Sequence, residues 1–234
     1  MPPSSAKARS SAVLGGILLT ILLLLILATG LDTPLLRPIA TDHPDVAYFI
    51  ERTFYWLFAA VLWVYAIKKE KQPLLIWQEN RYSVATHISH VFSLFFVILI
   101  SVVCINVFIS PLTHEEPSKV LHRIVDFLRT NKFLLVYTAL TAGVTEELIF
   151  RGYLQPRLEL IFKNPYWAIF ISSLIFGLAH FRYGTIKNVI DPFLIGLGLA
   201  IYYWKYRNIK VAIIFHFLWD LAGLLLLVKI RSKQ

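Results

Sequence analysis

The stretch SAVLGGILLTILLLLILATG (residues 11–30) carries no charge and follows Lys7 and Arg9. Twenty such residues in a row restrict the chain severely. A helix needs about 20 apolar residues to cross the roughly 30 Å hydrocarbon layer of a bilayer. In lipid, every backbone N–H and C=O must be satisfied within the chain, so such a run becomes a helix. Runs of this kind recur at 12–31, 47–67, 84–112, 133–157, 166–182, 189–205 and 209–229. The reading is an all-α, polytopic transmembrane bundle of about seven spans. The first run is long and lacks a small-residue cleavage site after it, so it reads as a retained signal-anchor.

Composition agrees: 57% of the 234 residues are hydrophobic and 16% are charged, against about 45–50% and 25% in soluble domains. The net charge of +9 does not point to nucleic acid, because the basic residues lie in short runs between apolar segments, where they act as anchors and topology signals. Cys104 is the sole cysteine; it excludes an intrachain disulfide and reads as a small buried hydrophobe. With the N-terminus inside, Lys and Arg divide twelve against eleven between the two faces, which is no bias. Around the first two spans they divide six against two, and this places the N-terminus in the cytoplasm of a plasma (inner) membrane. The segment 114–132 is too polar to cross; Val120, Ile124, Phe127 and Leu128 fall at helical spacing, as in a surface amphipathic helix. An eighth crossing there or at the ends would bring the basic C-terminus inside. The chain thus divides into a tail at 1–11, spans and surface helix at 12–132, a core at 133–229 and a basic tail at 230–234.

Ionisable residues inside the late spans are the chemical signal. A charge at the bilayer centre costs about 2.5–3.5 kcal/mol on insertion scales, so it marks function by default. Glu146, Glu147 and Arg151 share one span, Phe176 and His180 another, and His216 and Asp220 the last; Asp191 opens the span between. Glu147 and Arg151 are at i, i+4 in the favourable order for an ion pair. Glu146, about 100° round an α-helix, is left without a partner, as a general base requires. Asp220 is one turn from His216 and could orient its ring. At about 1.5 Å per residue, Glu146, His180, His216 and Asp220 reach overlapping depths and could share a chamber, while Asp191 falls near the other face as a cap or interfacial charge. Such a set could activate water at Glu146, with His180, His216 and Asp220 polarising a carbonyl. It could alternatively hold zinc through His180, His216, Glu146 and Asp220, although no HExxH helix signals a metal. Glycine-rich phosphate loops and the GxSxG surround of a nucleophilic serine do not occur.

The set EELIFR (Glu146–Arg151), FGLAH (Phe176–His180) and HFLWD (His216–Asp220) resembles the CPBP family, the type 2 CAAX prenyl proteases and bacteriocin-processing (Abi) intramembrane proteases. Its pattern is EExxxR, FxxxH and HxxxN or HxxxD on successive late spans. The resemblance covers roughly 130–229. It implies catalysis by Glu146, His180, His216 and Asp220, with Glu147, Arg151 and Phe176 in support and no cofactor favoured. Asparagine, common at the last position in CAAX-cleaving members, is replaced here by Asp220. The implied partners are the lipid bilayer and a membrane-associated peptide or protein, either a CAAX-type terminus or a maturing peptide. The alternatives are a non-proteolytic scaffold or immunity protein of the same fold, and an ion or proton transporter.

Overall fold

The computed structural model describes residues 3–29 and 33–233, with the side chains of 3–9, 29 and 33 left aside. The sequence-based reading of the tails through Lys7, Arg9 and Gln234 falls outside the described residues or side chains. The described chain is helical without a strand. It runs α1 (Pro3–Thr29), α2 (Thr33–Asp42), α3 (Pro44–Tyr65), α4 (Val84–Thr113), α5 (Lys119–Leu128), α6 (Lys132–Thr141), α7 (Gln155–Phe162), α8 (Pro165–Leu178), α9 (Lys187–Tyr206) and α10 (Ile209–Arg231). Between α6 and α7 the backbone stays helical but widens into π-helical turns at Ala142–Glu146 and Leu148–Leu154. Asparagine side chains start three of the helices: Asn131 accepts from Leu134 N, Asn164 from Tyr166 N and Asn208 from Val211 N, satisfying amides that a helix start leaves orphaned.

Five segments are long and apolar enough to cross a bilayer: Ser10–Ala28, Pro44–Glu70, Val84–Thr113, Lys132–Phe162 and Ile209–Arg231. The other two expected spans, 166–182 and 189–205, correspond to α8 and α9. Helix α8 has 14 residues, about 21 Å at 1.5 Å per residue, which falls short of the hydrocarbon thickness. It is packed against α9 so closely that a Cβ on Gly177 would stand 2.7 Å from Val189 O. The pair forms a hairpin that starts and finishes at the same end of the bundle.

The outer surface suits lipid. Leu14, Leu18, Leu22 and Leu25 on α1 and Phe92, Phe96 and Phe108 on α4 are exposed. Cys104 is exposed on α4 as well, so the expectation of a buried thiol is corrected: α4 buries only Val91, Leu94 and Ile98, on one stripe. Helix α5 is amphipathic, but Val125 and Leu128 are its fully buried residues. Its apolar face packs on the bundle, with Leu128 against Leu134 and Leu135 of α6 and near Leu221 and Leu224 of α10.

Hydrogen bonds join α3 to α6: Tyr48 to Thr138 at 3.1 Å, Thr53 to Tyr137 at 3.0 Å, and Trp56 Nε1 donating to Thr141 Oγ1 at 3.0 Å. This ladder lays α3 along the helix that carries the glutamate pair. At one end of the bundle, Glu70 accepts from Tyr153 OH at 2.6 Å and from Arg157 Nε at 2.9 Å. Nearby, Glu79 accepts from Tyr203 OH and from Ile209 N, both at 2.7 Å. These bonds tie the 66–83 segment to α7, α9 and α10 and close that end.

The π-helical turn after α6 meets α10 at Gly143, where a Cβ would stand 2.7 Å from Phe217 N and 2.9 Å from its Cα. Backbone cannot move aside like a flexible side chain, so Gly143→Ala should cost about 1–3 kcal/mol, as overpacking does. Gly223 on α10 has nothing near its Cβ, so Gly223→Ala should be neutral or gain up to about 1 kcal/mol of helix propensity. Thermal unfolding in detergent should separate the two variants in that order.

The α5 end is pinned by Arg231 Nε donating to Asp126 Oδ1 at 3.1 Å. That hydrogen bond, and the guanidinium charge with it, holds the Asp126 carboxyl below its ordinary range. A carboxyl lowered in the folded state contributes above its unfolded pKa and loses that contribution as pH falls through the folded one. Proteolysis of α5 should therefore stay slow through mild acid and speed up only below the ordinary aspartate range. Arg231→Gln should make it faster at neutral pH and flatten the profile.

Candidate functional site

The two carboxylates of TEEL part company. Glu147 is fully buried, and its Oε1 accepts from Arg151 Nη1 at 2.8 Å and from His216 Nδ1 at 2.8 Å. Arg151 in turn donates from Nη2 to Gly196 O at 3.0 Å, and its guanidinium lies 4.6 Å from the Phe176 ring centroid. One carboxylate thus gathers α10, α9 and α8 around the π-helical turn. A π-helical turn is rare and is found frequently at functional sites.

Glu146 lies at the other nitrogen of the same ring. Its side chain is 13% exposed, and Oε2 is buried with no hydrogen-bond partner, 4.0 Å from His216 Nε2. Glu146, His180, His216 and Asp220 line one cavity of about 350 Å³, together with Phe176 and Asp191. The pattern of partners for His216 corrects one expectation. Asp220 Oδ2 is 3.6 Å from Nε2, outside hydrogen-bond range, so the carboxylate that orients the ring is Glu147. The i, i+4 neighbour stays out of reach of Nε2, whereas the carboxylate across the helix interface reaches Nδ1.

His180 lies two residues past α8, and its Nδ1 is 2.8 Å from Phe176 O. A carbonyl oxygen only accepts, so Nδ1 carries the proton and a neutral ring turns the Nε2 lone pair elsewhere. Phe176 fills the space between the motifs: its ring centroid is 5.0 Å from that of His180 and 5.9 Å from that of His216. Asp191 corrects a second expectation. It lies in the second turn of α9, not at its cap, and accepts from Asn106 Nδ2 of α4 at 2.6 Å while lining the same cavity.

Glu146 and His180 also line a smaller space of about 60 Å³, whose other polar side chains are Arg52, Tyr55 and Tyr183. Sequence reasoning passed over Arg52, counting it as a topology charge. The signal was there, since an arginine within the apolar run 47–67 carries the same intramembrane cost as Arg151. Tyr183 gave no such signal; only the turn after α8 brings it in. Among the described residues, no three His, Cys, Asp or Glu side chains converge as a metal site would require. His180, His216, Glu146 and Asp220 share a cavity without closing on one point, so they do not fit a divalent ion as they stand.

Residues 129–222 match the family model described as type II CAAX prenyl endopeptidase Rce1-like. The resemblance carried by the three motifs therefore holds over this stretch, which contains all of them. No curated protein and no solved structure matches the chain. The apolar helices and this match make the chain an integral membrane protein.

Removing one partner of a buried ion pair leaves the other charge uncompensated, at a cost of about 3–5 kcal/mol. Arg151→Ala should therefore lower the unfolding midpoint sharply or prevent accumulation in the membrane. Glu146→Gln replaces a carboxylate whose Oε2 has no partner and should leave the midpoint close to that of the wild type. Thermal unfolding of both variants in one detergent checks the contrast.

Proposed function

We propose that the protein is an intramembrane endopeptidase in which Glu146 activates water to hydrolyse a peptide bond of a membrane-associated substrate. The observation that carries this reading is the division of labour between adjacent glutamates. Glu147 is fully buried with its Oε1 held by Arg151 and His216. One oxygen of each glutamate lacks a partner, but it is Glu146 that lines the cavity and makes no ion pair with an arginine among the described residues. The activity in the matched family's description, cleavage of CAAX prenyl substrates, supports the same reaction class.

In the proposed step, Glu146 takes a proton from water as the water oxygen bonds to the scissile carbonyl carbon. His180 Nε2, its lone pair turned from Phe176 O, accepts the water's other hydrogen and orients it. His216, held by Glu147 at Nδ1, donates from Nε2 to the oxyanion, with Asp220 offsetting the charge of the ring. Collapse of the intermediate breaks the C–N bond, and Glu146 returns its proton to the leaving amine. The products are a carboxylic acid and an amine. In this reading the residues act without a metal.

The chamber opens toward the α5 end, away from the closed end that bears Lys68, Lys69, Lys71 and Arg81. With those basic residues and the start of α1 in the cytoplasm, as the early charge bias favours, the substrate would be a peptide met on the outer face of a plasma membrane. With the opposite orientation it would be a CAAX-type terminus on the cytoplasmic face. Orientation and substrate class are one question.

The test compares membrane-associated peptides and protein termini in the native host carrying wild type or Glu146→Gln at matched protein levels. Removal of a general base costs about 10²–10⁴-fold in rate, so products should appear with wild type and be absent with the variant. Unchanged termini beside an intact cellular phenotype would refute the protease and leave a scaffold that keeps the polar network for folding.

A further inference from the structure

His180 stands at a change of backbone. Its φ of −94° and ψ of 2° lie in the bridge region, outside the helical range. A single 3-10 turn, Phe181–Tyr183, follows, and then Gly184 at φ +80°. Within itself this turn bonds Tyr183 N to His180 O at 3.1 Å and Gly184 N to Phe181 O at 2.9 Å. One helical turn fixes several dihedrals for few bonds and is marginal by itself. Yet it follows directly on a histidine that lines both the chamber and the small space beside Glu146. Its firmness has to come from other elements.

The segment His114–Ser118, which joins α4 to α5, clips the connection at two points. Ser118 is buried, and its hydroxyl is used twice. Oγ accepts from Leu121 N at 3.1 Å, capping α5, and donates to Tyr183 O at 2.6 Å. Glu115 Oε1 accepts from Ile186 N at 2.6 Å and Oε2 from Lys187 N at 3.3 Å, which holds the start of α9. Arg182 of the turn also lies 3.7 Å from Glu51 of α3, through a long side chain that is 40% exposed; Ser118 grips the backbone itself. The Tyr183 ring stacks on that of His180, with centroids 6.0 Å and planes 27° apart. Two neighbours therefore set the angle of the imidazole: Phe176 O at Nδ1 and the Tyr183 ring.

We propose that Ser118 is a positioning residue for His180. By fixing Tyr183 O it sets the Tyr183 ring, and through that ring the direction of the His180 Nε2 lone pair. The inference deepens the proteolytic reading, in which that lone pair orients the water, and rests on it for the catalytic consequence. Serine suits both tasks because a hydroxyl donates once and still accepts. Threonine can do the same. Aspartate caps a helix as well as serine does, but when ionised it has no hydrogen to offer a carbonyl. Alanine does neither.

These substitutions separate the cap from the clip. Spectra of ¹⁵N-histidine-labelled protein in detergent micelles at about pH 8, where an ordinary histidine is neutral, report which ring nitrogen carries the proton; His180→Gln assigns the signal. Wild type and Ser118→Thr should show His180 protonated at Nδ1. Ser118→Ala and Ser118→Asp should both show a mixture of the two tautomers, with the His216 signals in place. The unfolding midpoint should order differently and fall more in Ser118→Ala than in Ser118→Asp, because aspartate keeps the α5 cap. Cleavage of an S-farnesyl CAAX-type peptide is followed in parallel. A small misplacement of a group that orients a reactant costs up to about 100-fold, so kcat should drop about 10–100-fold in both variants at nearly constant KM, and Ser118→Thr should restore it. An unchanged His180 signal in Ser118→Asp, a change that Ser118→Thr shares, or effects that simply follow the unfolding midpoint would overturn the proposal. A wild type that shows the expected spectra and cleaves nothing would count against the proteolytic reading alone. Cleavage beside an unchanged His180 signal would remove the positioning role and leave that reading standing.

Discussion

Everything at the centre of this protein depends on one carboxylate oxygen, Glu147 Oε1, held at 2.8 Å by both Arg151 and His216. A charge cannot be left bare in an interior that excludes water. Once Glu147 and Arg151 are on the same helix, the rest of the packing must satisfy them. The guanidinium reaches Gly196 O of α9 and the face of Phe176 on α8; the carboxylate reaches α10. Close approach at Gly143 brings α10 within reach. The ion pair is thus weak evidence of stability for its own sake, as buried pairs are, and strong evidence about geometry: it sets which helices must be neighbours and at what depth.

The bundle has two unlike ends. At one, Glu70 and Glu79 each receive two or more donors from other elements, and the 66–83 segment is stitched to α7, α9 and α10. At the other, the polar groups are arranged around space: Arg52, Tyr183, His180 and Asp191 line cavities that communicate with Glu146. Rigidity at the closed end supports precision at the open one, because helices clamped at one end can hold side chains at fixed positions along their length. On the proposed protease reading, such an opening would let water and substrate reach a carboxylate surrounded by lipid-facing helices.

Much of this was legible without coordinates, for reasons that can be named. The helices were legible because backbone in lipid has no other way to satisfy its hydrogen bonds. The Glu147–Arg151 pair was legible because i, i+4 neighbours on a helix meet whatever surrounds them. Other features were not. Arg157 looked like a boundary charge, yet it is buried against Glu70, 87 positions away. Asp220 looked like the partner of His216, yet the ring turns to Glu147. Cys104 looked buried because its neighbours are apolar, but apolar surface faces lipid as readily as a core. Helix α8 is shorter than its apolar run suggested, because hydropathy does not register where a helix ends and a hairpin turns back.

The sequence by itself determined that the chain is a helical membrane protein with its ionisable residues concentrated in three late motifs, because hydropathy and helical spacing are local properties that lipid enforces. Only the tertiary structure decided which groups those residues meet. It gave Glu147 Oε1 two partners, put Glu146 on the wall of a cavity, and set Arg52 at the junction of the cavities. Such pairings depend on how helices separated by tens of residues cross and rotate against one another, and no local pattern encodes a crossing.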